Sequence, residues 1–140
     1  MFRGLLLAVP LAALVLAGAR SPATAAEEES PLFKLIKSKV KDEKKPFALL
    51  VTFKVKAGEE KKFEAAFAPC LAATRKESGC VAYYLNRDPD APSNYVMYEQ
   101  FRGIPGLDAH MKEKHTITLL ETVIPLCEGD PKIQVLTVPE

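Results

Sequence analysis

Phe47-Ala-Leu-Leu-Val-Thr-Phe-Lys-Val55 is the stretch on which the reading of the whole chain turns. Phe47, Leu49, Val51, Phe53 and Val55 alternate with Ala48, Leu50, Thr52 and Lys54. That period of two predicts a β-strand. Ala48 and Leu50 make the second face apolar as well, as a central strand covered on both sides near its start requires. Ala57-Gly58 ends the strand, and residues 59–77 then change period. Phe63, Ala66, Phe67, Cys70, Leu71 and Thr74 fall on one helical face. Glu59 and Glu60 suit the positive end of the helix dipole, and Arg75 and Lys76 the negative end. Pro69 should bend this helix, and Ser78-Gly79 should cap it.

Further along, residues 80–87 and 94–102 read as two strands joined by the turn-forming loop Asp88-Pro-Asp-Ala-Pro-Ser93. After Gly103-Ile-Pro-Gly106 a second helical region covers 107–112, pauses near His115 and resumes to Ile124. Pro125 and Gly129-Asp-Pro131 stop it, and a strand over 133–138 completes the chain. The order β-α-β-β-α-β predicts an α+β, ferredoxin-like domain: a four-stranded antiparallel sheet with both helices on one face. The other face of so small a sheet needs cover, which a second copy of the chain would supply as a homodimer.

The N-terminus reads differently. Arg3 precedes an apolar run over 5–19, broken only by Pro10 and Gly18, and Arg20-Ser-Pro-Ala-Thr-Ala-Ala26 follows. The charge, the apolar run and small residues at Ala23 and Ala25, or at Thr24 and Ala26, form a secretory signal over 1–26. The run is short for a bilayer span, which takes ~20 apolar residues. The expected protein is therefore secreted or periplasmic, with no stable membrane insertion after cleavage. The signal carries two arginines and no acid, so the full chain's net charge of +1 becomes −1 in the mature chain. Near-neutrality argues against a nucleic-acid partner. Residues 27–45 open with three Glu and then carry Lys34, Lys37, Lys39, Lys41, Lys44 and Lys45. They read as a charged, solvated linker with a helical turn along Phe33, Ile36 and Val40, ahead of a domain over 46–140. Cys70, on a helix's apolar face, and Cys80, at a strand's start, are expected with Cys127 as buried thiols, the alternative being one disulfide and one free thiol.

Chemistry concentrates in the second half. The chain has no glycine-rich phosphate loop and no Cys-x-x-Cys. His110 and His115 lie five residues apart, ~140° around a continuous helix, so they make no helical metal motif unless the helix breaks between them. Glu99 shares a strand face with Tyr95, Met97 and Phe101, placing a carboxylate where apolar residues point. A hairpin register opposing Tyr83 to Glu99, Leu85 to Met97 and Arg87 to Tyr95 sets a phenol beside Glu99 and a guanidinium within diagonal reach. Such a set is either a Glu-Tyr-Arg network that fixes the sheet or part of a site. Only two His exist, both in one six-residue segment, and neutral imidazole is a general base near pH 7. Tyr83, Tyr84, Tyr95, Met97, Tyr98 and Phe101 would line a pocket for a flat aromatic ligand or form ordinary core.

Three segments resemble one family in order. They are Phe47-Ala-Leu-Leu-Val-Thr-Phe-Lys-Val-Lys-Ala-Gly58 with the Phe63/Phe67 helix; Lys76-Glu-Ser-Gly-Cys-Val-Ala-Tyr83; and Tyr98-Glu-Gln-Phe-Arg102 with Leu107-Asp-Ala-His110 and Lys114-His115. Over about residues 46–138 the chain resembles the antibiotic biosynthesis monooxygenase domain. The resemblance implies a dimeric α+β barrel, with a pocket between sheet and helices in each subunit. It also implies a choice of activities. Some members oxidise quinols or polyketides with O2, without flavin or metal, and others degrade haem or isomerise small phosphorylated molecules. The haem-degrading branch uses a Trp that this chain lacks. The expectation is a cofactor-independent monooxygenase acting on a quinol-like or phenolic substrate with O2. His110, His115 and Glu99 are its catalytic candidates, and Tyr83, Arg87, Met97 and Tyr98 its substrate-binding candidates, with no metal. A non-catalytic dimeric binding module and a small-molecule isomerase are the alternatives.

Overall fold

The computed structural model describes residues 29–139. The signal segment over 1–26 lies outside the described residues. Among these, no helix is long and apolar enough to cross a membrane.

Four strands, β1 (Phe47–Lys54), β2 (Cys80–Arg87), β3 (Asn94–Phe101) and β4 (Lys132–Thr137), form one sheet in the order β2-β3-β1-β4. Every neighbouring pair is antiparallel. The strand read first from its alternation, β1, is central, with β3 on one side and β4 on the other. Phe47, Leu49, Val51 and Phe53 point to one face together with Tyr95, Met97, Glu99 and Phe101, and all eight are buried. The hairpin has the register read from the sequence: Tyr83 opposes Glu99, Leu85 opposes Met97 and Arg87 opposes Tyr95. An irregularity between Cys80 and Ala82 shifts the pairing at the start of β2.

The helices cover that inner face. They are α2 (Glu60–Thr74), α3 (Ile104–Lys112) and α4 (Lys114–Val123), preceded in the chain by α1 (Pro31–Lys39). α2 lays Phe63 and Phe67 on the sheet, where their rings pack against Phe53 at 5.3 and 5.8 Å between centroids. It runs on through Pro69 and ends at Thr74, three residues short of the sequence reading. Beyond it the backbone tightens into i→i+3 bonds, Lys76 N–H to Ala73 and Glu77 N–H to Thr74, both 3.0 Å. Such bonds satisfy carbonyls that an ending helix leaves open.

The second helical region starts earlier than its apolar pattern shows. Pro105 sits in the first turn of α3, where a missing N–H costs nothing. The region also divides in two. Glu113 takes an extended conformation, φ −68° and ψ 137°, and serves as the end of α3 and the start of α4.

The segment read as a solvated linker differs most. Ser30 caps α1, its hydroxyl accepting from Phe33 N–H at 3.1 Å, and Pro31 occupies the first turn. Phe33 and Ile36 are buried in the common core. A nine-residue helix is marginal alone, so these two side chains, worth ~1.5–3 kcal/mol each when buried, hold it down. The packed structure thus begins before residue 46.

All three cysteines are free thiols. Cys70 and Cys127 are buried, and Cys80 is only half-buried at the sheet edge. The outer face of the sheet carries Leu50, Val96, Tyr98 and Tyr84, the last 53% exposed.

Candidate functional site

A cavity of about 400 Å³ lies between the inner face of the sheet and the helices. Its walls are apolar for the most part, with Leu49, Val51 and Phe53 from β1, Phe67 from α2, and Leu107 and Leu119 from α3 and α4. Leu32 and Ile36 of α1 close one side. Tyr83, Glu99, His110 and Thr116 bring polar groups into this lining.

Glu99 is 9% exposed, and no group among the described residues hydrogen-bonds its carboxyl. Burial, reinforced by the negative charge of Glu77, pushes its pKa from the ordinary 4.5 up to about 8. At neutral pH it is mostly the neutral acid, able to donate a hydrogen bond into the cavity. Tyr83 pairs with it across the hairpin, but its hydroxyl contacts the Cys70 sulfur at 3.9 Å instead. Burial, then the Glu99 charge, drive the Tyr83 phenol well above its usual range. Burial likewise raises the Cys70 thiol, so neither group supplies an anion.

His110 stands in the last turn of α3 and packs edge-on against Tyr83, with ring centroids 5.3 Å apart. Its Nδ1 is 3.1 Å from both carboxylate oxygens of Glu77. Burial lowers its pKa, and the Glu77 bond works against that shift. The ring is therefore neutral near pH 7. With Glu77 accepting the Nδ1–H, the lone pair is left on Nε2 of a ring that forms part of the cavity wall. The Thr116 hydroxyl lies 3.5 Å from that Nε2.

Glu77 is held in place by a close backbone contact. A Cβ on Gly79 would sit 2.5 Å from the Cα of Gly106, at the start of α3. Only glycine lets the loop after α2 press against α3 so tightly. Arg102 N–H also donates to the Gly79 carbonyl at 2.9 Å. The second histidine, His115, opens α4 and puts Nε2 at 2.6 Å from Glu77 Oε1. It lies outside the cavity lining but on the same carboxylate as His110.

Of the seven candidates, then, Glu99, His110 and Tyr83 line the cavity, while His115, Arg87, Met97 and Tyr98 do not. Arg87 turns away at the strand end. Its Nε donates to the Pro92 carbonyl at 2.7 Å and its Nη1 meets Glu64 at 3.4 Å. No Glu99-Tyr83-Arg87 network forms. Met97 is buried core, and Tyr98 faces the outer side, donating to the side-chain oxygen of Gln100 at 3.1 Å. The sequence reading missed Glu77, Leu32 and Ile36. Glu77 sat where a helix end was expected. The signal that would have found it is the need of two clustered histidines for an acceptor.

A ferredoxin-like sheet roofed by helices, with a mostly apolar cavity between the layers and an imidazole-carboxylate pair on its wall, defines an α+β domain with an internal cavity of small-molecule size. The profile of the antibiotic biosynthesis monooxygenase family matches residues 46–119, and the chain belongs to that family. Solved structures agree in fold. Rv0793 from Mycobacterium tuberculosis is 24% identical, with a TM-score of 0.64 over 68% of this chain and 96% of that one. PA3566 from Pseudomonas aeruginosa is 24% identical, with a TM-score of 0.64 over 71% and 99%. SO0527 from Shewanella oneidensis is 28% identical, with a TM-score of 0.58 over 67% and 95%. No curated protein matches the chain in sequence.

Proposed function

We propose that the protein is a monooxygenase that oxidises a quinol-like or phenolic molecule with O2, the substrate itself supplying the electrons. The observation that carries this reading is the His110-Glu77 pair on the wall of an apolar cavity. Nε2 of His110 removes the phenolic proton. Glu77 fixes the tautomer and steadies the imidazolium that forms. The electron-rich anion passes one electron to O2, and the radical pair combines to a peroxide. Loss of water then leaves one oxygen in the product: SH2 + O2 → SO + H2O. Glu99, neutral and unpartnered, donates a hydrogen bond to the oxygen on which charge develops. The apolar walls suit a flat aromatic body and exclude water.

Family membership supports a monooxygenase-type activity, and the substrate class is our reading of the cavity. We further propose export through the N-terminal signal and pairing of two chains through the outer sheet face, where Tyr84 and Tyr98 stand. Oxygen uptake over a panel of hydroquinones tests the central claim. Turnover that falls at least 100-fold in His110→Ala supports it. No uptake above that variant across the panel overturns it.

A further inference from the structure

Glu77, His110 and His115 come from three places: the loop after α2, the last turn of α3 and the first turn of α4. Their nitrogen and oxygen donor atoms nonetheless lie within 4.8 Å of one another. On one continuous helix the two rings would point ~140° apart. The extended residue Glu113 between α3 and α4 removes that obstacle and turns both rings onto one carboxylate.

We propose that Glu77, His110 and His115 form a binding site for one divalent transition-metal ion of the zinc type. Two imidazole nitrogens and a carboxylate oxygen suit such an ion, whereas calcium and magnesium take oxygen sets. Bond lengths of ~2.0–2.1 Å in a tetrahedral site place donor atoms ~3.3 Å apart. Here Glu77 Oε1 is 3.1 Å from His110 Nδ1 and 2.6 Å from His115 Nε2. To take an ion, the two contacts to Glu77 lengthen by about 0.2 and 0.7 Å, and the ring nitrogens, within 4.8 Å of each other, come to a similar ~3.3 Å separation. Three protein ligands leave the fourth position to water. The side chains of Glu77 and His115 are 15% and 23% exposed, which gives an ion a way in. A supporting group stands behind one ligand: Glu113 Oε2 is 4.0 Å from His115 Nδ1, on the side where an acceptor orients a ligating ring.

One consequence rests on the monooxygenase reading above. In the metal-free site Glu77 takes the Nδ1 proton and Nε2 keeps its lone pair. An ion on Nδ1 leaves the proton of neutral His110 on Nε2, so the base is lost. The ion and the substrate's phenol compete for one imidazole, and zinc inhibits.

The test starts from protein stripped with chelator and titrated with Co2+ as a spectroscopic probe. A d–d absorption saturating at one cobalt per chain is expected. Binding weakens at least tenfold in Glu77→Gln and in His115→Gln, with the circular dichroism of both unchanged. Zn2+ raises the Tm of the wild type and leaves that of His115→Gln in place. No d–d band, equal affinity in the variants, or a sulfur-to-cobalt charge-transfer band reporting a cysteine site overturns the proposal. Should Glu77→Gln unfold, His115→Gln, at the rim of the cluster, decides. Oxygen uptake gives the separate arm. Zinc that binds an active enzyme without slowing it overturns the inhibition. An inactive metal-free enzyme overturns the monooxygenase reading and leaves the cobalt result to judge the site.

Discussion

Replacing Glu99 by Gln isolates the cost of keeping a carboxyl in an apolar cavity. The folded protein holds this acid from 4.5 up to about 8. In the unfolded chain it ionises near 4.3. Between those values the native state binds a proton that the unfolded state has lost, so stability falls as pH rises. The fall begins near the unfolded value and levels off above about 8, where both states are ionised. At ~1.4 kcal/mol per pKa unit the whole window amounts to about 5 kcal/mol. That is a large share of the ~5–15 kcal/mol that holds a typical domain together. Glutamine keeps the shape and a donor but cannot ionise. Urea unfolding at pH 5, 6.5 and 8.5 on both proteins reads the difference directly, because every other titrating group is common to them. The variant should gain on the wild type by several kcal/mol between pH 5 and pH 8.5. Parallel profiles, or a gain toward acid, would refute the claim that Glu99 is buried without a partner.

Other outcomes follow from the packing. Gly79→Ala drives a methyl to 2.5 Å from Gly106 Cα, should cost about 1–3 kcal/mol in denaturant unfolding, and should cut turnover by displacing Glu77. Ile36→Ala removes a main anchor of α1, should cost about 2–5 kcal/mol, and should speed amide exchange through residues 33–39 relative to β1. Tyr84→Glu tests the proposed pairing through the outer sheet face: the charge should shift sedimentation from dimer to monomer without loss of fold, and a wild type that sediments as a monomer refutes the pairing.

The alternation in Phe47–Lys54 and in Asn94–Phe101 was enough to set the sheet, because a period of two assigns each side chain a face. With the faces assigned, the loop 88–93 fixed the hairpin register and put Tyr83 opposite Glu99. Side-chain direction at a strand end was not legible in the same way. Arg87 has a long flexible stem and found Glu64 and the Pro92 carbonyl nearer than the cavity. The site's carboxylate was hidden for another reason. Glu77 reaches the histidines only because α2 ends at Thr74 and Gly79 meets Gly106, a tertiary contact with no local pattern. The helix α1 was misjudged because a lysine-rich stretch looks solvated. Its Phe33-Ile36 stripe becomes a helix face once the core offers a floor. The joining of His110 and His115 hangs on one extended residue, Glu113, which apolar periodicity marks only as a pause.

The central claim is that His110, oriented by Glu77, is the base for an O2-dependent oxidation in the cavity. An oxygen electrode, with product analysis on the same sample, tests it most directly. Chelator-treated wild-type protein and a hydroquinone substrate should consume one O2 per product formed. Glu77→Gln should lower kcat more than it raises KM, since it weakens the base and not the apolar cavity. Equal turnover in wild type, Glu77→Gln and His110→Ala would contradict the account.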